Sequence, residues 1–333
     1  MRIAFVMAYP VISASNGVMN QALCWKAALE KRDHCVVLVN PWEPCDWKSF
    51  DVIHLFMFTE YSADYIDYLS KVNPRLAISP ILDPDYSILN FKMRTLLGLK
   101  KIHLSNRYSR LRESLPHIGQ VYVRSDFESS YFTQGLNVSS SKIVKIPLAI
   151  NQIEDDQKNY SKENFCFDAC FLADDRKNVK RLIDAAEKFH FPLKLAGKLR
   201  NETEKKKVFG WLKNTKYVEY VGFLSSADLL AMYKKARVFA LPSVNEGVGI
   251  VALEAAAYGC DVVITNIGGP KEYYKDLATC VDPYDVDAIG KAVQQFLKGK
   301  TFQPALKEYV KKEFSQEYIG ELLENGYKRL CLE

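Results

Sequence analysis

The chain has 333 residues, 45 of them Lys or Arg and 40 Asp or Glu, for a formal net charge of +5. Hydrophobic residues make up 48% and charged residues 26%, the balance of a globular protein of about two domains rather than a disordered or fibrous one. The charge is too small to point to nucleic acid, and no apolar run reaches the roughly 20 residues of a membrane-spanning helix.

The N-terminal run MRIAFVMAYP carries one charge and then β-like residues, with no cleavage pattern. It reads as the start of a protein in a reduced, cytosolic compartment. RIAFVMAY (2–9) suits a strand buried on both faces, and 18–31 suits a helix with Met19, Ala22, Leu23 and Ala27 on one face. CVVLV (35–39), VIHLF (52–56), LAIS (76–79), QVYVRS (120–125) and KIVKIP (142–147) read as further strands. Strands alternating with helices predict a mostly parallel sheet covered on both sides. Residues 151–164 hold a single strongly apolar side chain, Ile153, and read as a linker. The alternation then restarts with FDACFLA (167–173) and a helix over 178–189, whose Val179, Leu182, Ile183 and Ala186 fall at i, i+3, i+4 and i+7. PLKLAG (192–197), YVEYVG (217–222), VFALP (238–242), DVVIT (261–265) and LATCV (277–281) complete a second set of strands. Such sheets bind ligands at the carboxyl ends of their strands, and the cleft between two domains is the expected site.

Cys24, Cys35, Cys45, Cys166, Cys170, Cys260, Cys280 and Cys331 form no Cys-x-x-Cys pair, and no His cluster completes a metal set. Buried free thiols and no metal are expected.

The most informative stretch is VFALPSVNEGVGIVALEAAAYGCDVVITNIGGPKE (238–272). A strand runs into a loop in which Gly247 and Gly249 let backbone approach a ligand closely. A helix begins near Gly249 and ends near Tyr258, where Gly259 suits a left-handed stop. Its free N–H groups point back toward the strand ends, as a phosphate requires. Glu246 precedes the helix and Glu254 lies on its second turn; a carboxylate accepts paired hydrogen bonds, which suits sugar or ribose hydroxyls.

Two glutamates with seven residues between them, and Pro-Ser ending the preceding strand, resemble the signature of the family 4 retaining glycosyltransferases (glycosyl transferases group 1). The flanks VGFLSSADLLAMYKKA (221–236), NIGGPKE (266–272), VDPYDVDAIGKAV (281–293), RKNVKRLIDA (176–185) and KIVKIPLAIN (142–151) resemble the same family. The resemblance implies an α/β protein of the GT-B fold, two doubly wound Rossmann-like domains facing a central cleft. Residues 1–150 would bind the acceptor. Residues 165–333 would bind the nucleotide sugar, the last helix being able to cross back to the first domain. Glu246 would meet the donor sugar and Glu254 the ribose. The backbone of Gly247, Val248 and Gly249 would line the sugar and diphosphate, and that near Leu224 would hold the base.

A helix terminus contributes about 0.3–1 kcal/mol per charge, up to roughly 2 when partly buried, too little for two phosphates. Arg176 and Lys177 are therefore candidates for the diphosphate, although the family's Gly-Arg reads Ala173-Asp174 here. In the first domain the family's paired glycines reduce to Gly17. No His follows the fourth strand, so Asp83 of SPILDPDYS (79–87) is the polar group assigned to the reacting sugar or acceptor.

Competing patterns are weaker. Gly247-x-Gly249-x-x-Ala252 imitates a dinucleotide fingerprint but lies in a late βα unit. Asp83-Pro84-Asp85 imitates a metal-binding pair but suits a turn. His54 sits in a buried-looking strand, and His103 and His117 carry no motif. Residues 92–112 hold seven Lys or Arg and no acid; they read either as a solvated helix face or as a surface for an anionic membrane or lipid-diphosphate acceptor. Leu96, Leu97, Leu99 and Ile102 would add shallow insertion. The expectation is a retaining, metal-independent transferase without a cofactor. It would move a sugar from a UDP- or GDP-linked donor to a glycan or lipid-linked acceptor, in surface polysaccharide or glycolipid synthesis. The alternative is a non-catalytic GT-B partner or scaffold of another transferase. A nucleotide-sugar epimerase of similar fold is a third reading.

Overall fold

The structure, a computed structural model, describes residues 1–7, 17–40, 42–59, 61–96, 106–151 and 160–332. The chain forms two compact units, Met1–Asn151 with Phe314–Glu333, and Gln152–Glu313.

Unit 1 is built on β1 (Arg2–Met7), β2 (Cys35–Leu38), β3 (Val52–Phe56), β4 (Leu76–Ser79), β5 (Gln120–Val123) and β6 (Ile143–Lys145). They pair in parallel in the order β2-β1-β3-β4-β5-β6. The central strands β3 and β4 are buried along their whole length, whereas Cys35 and Leu38 on the edge strand β2 are exposed. A strand covered on both faces can carry an unbroken apolar run, as the sequence does here.

Alternate side chains go to opposite faces. One face presents Ala4, Val6, Ile53, Leu55, Leu76 and Ile78 to α2 (Ser62–Val72), α3 (Ile88–Leu96) and α4 (Arg107–Ser114). The other presents Ile3, Phe5, Val52, Phe56 and Ala77 to α1 (Gly17–Glu30) and to the last helix of the chain, Gln316–Leu332. That last helix buries Ile319, Leu323, Tyr327 and Leu330 as one stripe. It packs closely because two positions are small: a Cβ on Gly320 would meet the Ala28 carbonyl at 2.9 Å, and one on Gly326 the Tyr122 hydroxyl at 2.6 Å. His54 is fully buried between Tyr327 Oη at 2.7 Å and Ser79 Oγ at 2.9 Å. The connection from β2 to β3 carries only a 3-10 turn, Trp47–Ser49, and no α-helix among the described residues.

Unit 2 contains β7 (Glu163–Ala169), α6 (Val179–Phe189), β8 (Leu193–Ala196), α7 (Glu202–Leu212), β9 (Val218–Gly222), α8 (Ser226–Lys235), β10 (Ala236–Leu241), α9 (Ile250–Ala257), β11 (Asp261–Thr265), α10 (Pro270–Tyr274), β12 (Thr279–Val281), α11 (Val286–Leu297) and α12 (Ala305–Glu313). β7 starts inside the stretch read as linker, because its first residues, Glu163 and Asn164, are exposed polar ends of an otherwise buried strand. The parallel order β12-β11-β10-β7-β8-β9 reverses direction between β7 and β10. A crevice opens at such a reversal, outside the carboxyl ends of the strands. Helices α6 and α11 cover one face, and a Cβ on Gly290 would strike the Phe189 ring at 2.1 Å, so only glycine allows their approach.

Candidate functional site

The carboxyl ends of β7 and β10 bring three loops together. After β10, Pro242, Ser243 and Asn245 are buried and lead to Glu246. After β7, a 3-10 turn over Asp175–Lys177 ends at Asn178, in the left-handed region at φ +59°, which Asn tolerates better than most residues. Asn178 is 4% exposed, and its Nδ2 donates to Pro242 O at 2.8 Å and to Pro283 O at 2.6 Å. One side chain thus ties the loops after β7, β10 and β12. Backbone joins the first two as well: Val244 N donates to Arg176 O at 2.9 Å.

That stitching places Lys177 against Glu246. Lys177 Nζ donates to Glu246 Oε2 at 2.6 Å, and Ser243 Oγ donates to the same oxygen at 3.1 Å. Both charged side chains are only 12–13% exposed, so their attraction is screened less than that of a surface pair. The backbone of Glu246 is fixed from the other side, where it bridges to Gly268 and its carbonyl accepts from Gly269 N at 3.3 Å. A Cβ on Gly268 would lie 1.9 Å from Glu246 O, so this contact demands glycine.

Glu246 leads through Gly247 and Val248, both buried, to Gly249, which caps α9 at φ +78°. A Cβ at Gly249 would also press on Ile264 at 3.0 Å. α9 buries Ala252, Leu253, Ala255, Ala256 and Ala257, while Glu254 on its second turn stays half-buried. The amides of the first turn of a helix lack intrahelical partners and carry partial positive charge. Leu224, half-buried, lies between β9 and Ser225, whose Oγ accepts from Asp228 N and caps α8.

Beneath this cluster lies Asp168, fully buried on β7. Its Oδ2 accepts from Cys170 Sγ at 3.3 Å, and its Oδ1 has no partner among the described residues. Burial pushes its carboxyl up to about 7, although the Cys170 contact and the Lys177 charge pull the other way. The Tyr274 phenol is raised well above its ordinary value by burial and then by the Glu246 charge. The Tyr233 phenol is raised by burial and then by Glu254.

The structure therefore groups Lys177, Ser243, Glu246 and Gly268, with Gly247, Val248, Gly249 and Glu254 continuing from them. Arg176 takes a different course: its side chain is 47% exposed, with Nε 3.7 Å from Asp174 Oδ2. Asp83 belongs to unit 1, where Arg124 Nη2 donates to its Oδ1 at 2.6 Å. Gly17 opens α1 with nothing within 4 Å of a Cβ built on it. Of residues 92–112, Arg94 lies over the Tyr86 ring at 4.1 Å and Arg110 pairs with Asp64, while 97–105 lie outside the described residues. Among the described residues no group of three His, Cys, Asp or Glu could hold a metal ion, and no helix is long and apolar enough to cross a membrane.

Sequence reasoning missed Asn178 and Asp168. A carboxylate inside the apolar run FDACF was a signal for Asp168. Asn178, directly before the helical periodicity of α6, read only as a helix start.

Residues 151–313 match the family described as Glycosyl transferases group 1. The O-antigen chain mannosyltransferase B of Escherichia coli is 31% identical over 171 residues, 46% of this chain and 43% of that protein. The chain thus spans less than half of that relative's length. Among solved structures, sucrose-phosphate synthase from Thermosynechococcus elongatus superposes with a TM-score of 0.74 at 17% identity, covering 99% of both chains. Anabaena HepE, solved in complex with UDP and glucose, gives a TM-score of 0.70 at 13% identity, covering 99% of this chain and 100% of that one. At such identities the likeness shows the fold, and that fold is GT-B.

Proposed function

From the match of residues 151–313 to the glycosyl transferases group 1 family, we propose that the chain is a retaining glycosyltransferase. It moves a hexose from a nucleotide-diphosphate donor to a glycan or lipid-linked acceptor. The observation that carries this reading is the Lys177–Glu246–Ser243 cluster at the start of α9, held from behind by Gly268. Glu246 and the backbone at Gly247–Gly249 meet the donor sugar. Glu254 takes the ribose hydroxyls, and the backbone near Leu224 takes the base. As the bond to the sugar breaks, charge gathers on the leaving diphosphate. Lys177, the first-turn amides of α9 and the exposed, reachable Arg176 stabilise that charge. Lys177 is already neutralised by Glu246, so the donor must share it. Binding is then tightest where Glu246 turns to a sugar hydroxyl.

UDP in the HepE complex and the mannosyl transfer named for the Escherichia coli relative support a UDP- or GDP-linked hexose. The acceptor is assigned to unit 1, in polysaccharide or glycolipid synthesis at the cytoplasmic side. The basic residues of 92–112 would dock the chain on an anionic leaflet, each contributing about 1 kcal/mol. A second reading, a non-catalytic partner subunit, is favoured by the engagement of Asp83 with Arg124.

Calorimetry with UDP, GDP, ADP and dTDP on the wild type and on Glu254→Ala is the test. One nucleotide should bind selectively and lose about 1.5–3 kcal/mol in the variant. Glu246→Ala should lower turnover more than nucleotide affinity, and activity should survive EDTA. If both variants leave binding and rate untouched, the assignment fails. Nucleotide binding without turnover on any glycan or lipid-linked acceptor points to the partner subunit.

A further inference from the structure

In a doubly wound sheet the path from one strand to its parallel neighbour usually includes a helix that covers the sheet face. Between β2 and β3 of unit 1 that cover is absent among the described residues, which hold only the 3-10 turn Trp47–Ser49 there. The loop is firmly built. Asn73, 2% exposed, donates from Nδ2 to Trp47 O at 3.2 Å and Phe50 O at 2.9 Å. Arg2 Nη1 donates to Ser49 Oγ at 2.8 Å, and Asp46 caps the 3-10 turn. Where a helix would have filled the face, a cavity of about 180 Å³ remains. Its sheet side is Val6 and Val39, its walls are Trp47 and Tyr65, and Asn40 and Glu43 stand on it as polar groups.

The chemistry of the lining selects among ligands. Among the described residues no Lys or Arg lines the cavity, and Glu43 brings a carboxylate, so a phosphate or nucleotide is disfavoured. Drug-sized ligands occupy roughly 300–1,000 Å³, so the space suits one small ring with room for a few waters. Asn40 Nδ2 donates to Glu43 Oε1 at 2.9 Å and Asn40 Oδ1 accepts from Trp42 N at 3.1 Å. This fixes the carboxylate with its second oxygen able to accept from hydroxyls. Aromatic faces for C–H groups beside a held carboxylate for O–H groups match a neutral sugar, which is apolar across its ring faces and polar around its rim. Met7 and Val39 place the cavity at the carboxyl ends of β1 and β2, and the sheet order reverses at β1, next to β3. Ligands of such folds bind on that side.

We propose that this cavity is a subsite for one neutral hexose unit of the acceptor glycan, with Glu43 hydrogen-bonding its hydroxyls and Trp47 and Tyr65 meeting its ring. The assignment to an acceptor rests on the transferase reading above; the sugar-binding chemistry itself does not.

The test uses the full chain and the methyl glycosides of mannose, glucose and galactose as probes, followed by ligand-observed saturation-transfer NMR and titration. At least one glycoside should bind saturably. Glu43→Gln, at an exposed position, and Tyr65→Leu, at the cavity wall, should each weaken it about tenfold, the loss of roughly one good contact. Nucleotide affinity should stay unchanged in both variants. Absence of saturable binding by all three glycosides overturns the subsite, as does binding that neither variant alters. If the glycosides bind as expected while no nucleotide binds the wild type, the transferase reading falls and the sugar subsite stands. If nucleotide binds and the glycosides do not, only the subsite falls.

Discussion

In unit 1, Arg124 is 7% exposed, and its Nε donates to Glu128 Oε2 at 3.0 Å while its Nη2 reaches Asp83 at 2.6 Å. Glu128, 1% exposed, also accepts from Leu82 N at 2.7 Å and Arg124 N at 2.9 Å. Burial alone would lower the Arg124 guanidinium, but the Glu128 and Asp83 carboxylates outweigh it and hold it protonated. In unit 2, at the corresponding carboxyl ends of the strands, Asp168 is fully buried with one oxygen lacking a partner among the described residues. An unsatisfied buried group costs about 1–3 kcal/mol. At the strand ends the two buried charges are thus treated differently: Arg124 has both its carboxylate partners, whereas Asp168 keeps one open oxygen near the Lys177 and Glu246 charges. Proteins tend to break packing rules where function requires it, and the open oxygen of Asp168 lies within electrostatic reach of the two charged side chains of the proposed donor site.

The largest test of this contrast is acid. Burial lowers the His54 imidazole from 6.5 to about 3. Its neutral form is favoured in the fold, so its contribution is complete above pH 6.5. It is lost as pH falls from 6.5 toward 3, where the unfolded chain binds a proton that the folded one refuses. The full shift corresponds to about 5 kcal/mol. Hydrogen exchange of the β3 amides should report it, unit by unit, and His54→Gln should flatten the acid slope; an unchanged slope removes His54 as the cause.

Next in size, and opposite in sign, is Asp168. Its folded value, about 7, lies above the ordinary 3.8, so its penalty is absent below pH 3.8 and grows as pH rises through 7. Asp168→Asn should stabilise unit 2 above pH 7 by up to about 4 kcal/mol and change little at pH 4. If transfer slows while β7 amides become better protected, the orphaned carboxyl is retained for activity at the expense of stability. If stability does not rise, the carboxyl is better satisfied than its contacts suggest.

The smallest is Gly268→Ala. The added carbon would lie 1.9 Å from Glu246 O in a residue at φ +93°, so the bridge must open. Turnover should drop about tenfold, near 1.4 kcal/mol, with nucleotide affinity preserved. A drop in affinity of equal size would mean that Gly268 supports the nucleotide and not the sugar end.

Much of the architecture was legible because it repeats. Burial of every residue of VIHLF and LAIS, and the i, i+3, i+4, i+7 face of α6, follow from local periodicity. The two glutamates were legible through spacing within one loop and helix. The partners of Glu246 were not: Lys177 is 69 residues away, and the bridge to Gly268 depends on where a separate loop ends. Asn178 reaches 105 residues to Pro283. Contacts between loops carry no period, so nothing in a window of sequence announces them. The same holds for the crossover helix absent among the described residues, where the segment after β2 shows only a lack of helical period and holds Pro41 and Pro44.

The helix Gln316–Leu332 belongs to unit 1 although all of unit 2 precedes it in the chain. During synthesis, at about 5–20 residues per second, strands β1–β6 emerge roughly 10–40 s before the helix that covers Ile3, Phe5 and Trp25. For that interval α1 alone covers that face of the first sheet, whereas the second unit waits for nothing made after its own residues. The first half to be made is thus the last to finish folding. Its waiting surface is where a chaperone would bind, or where aggregation would begin.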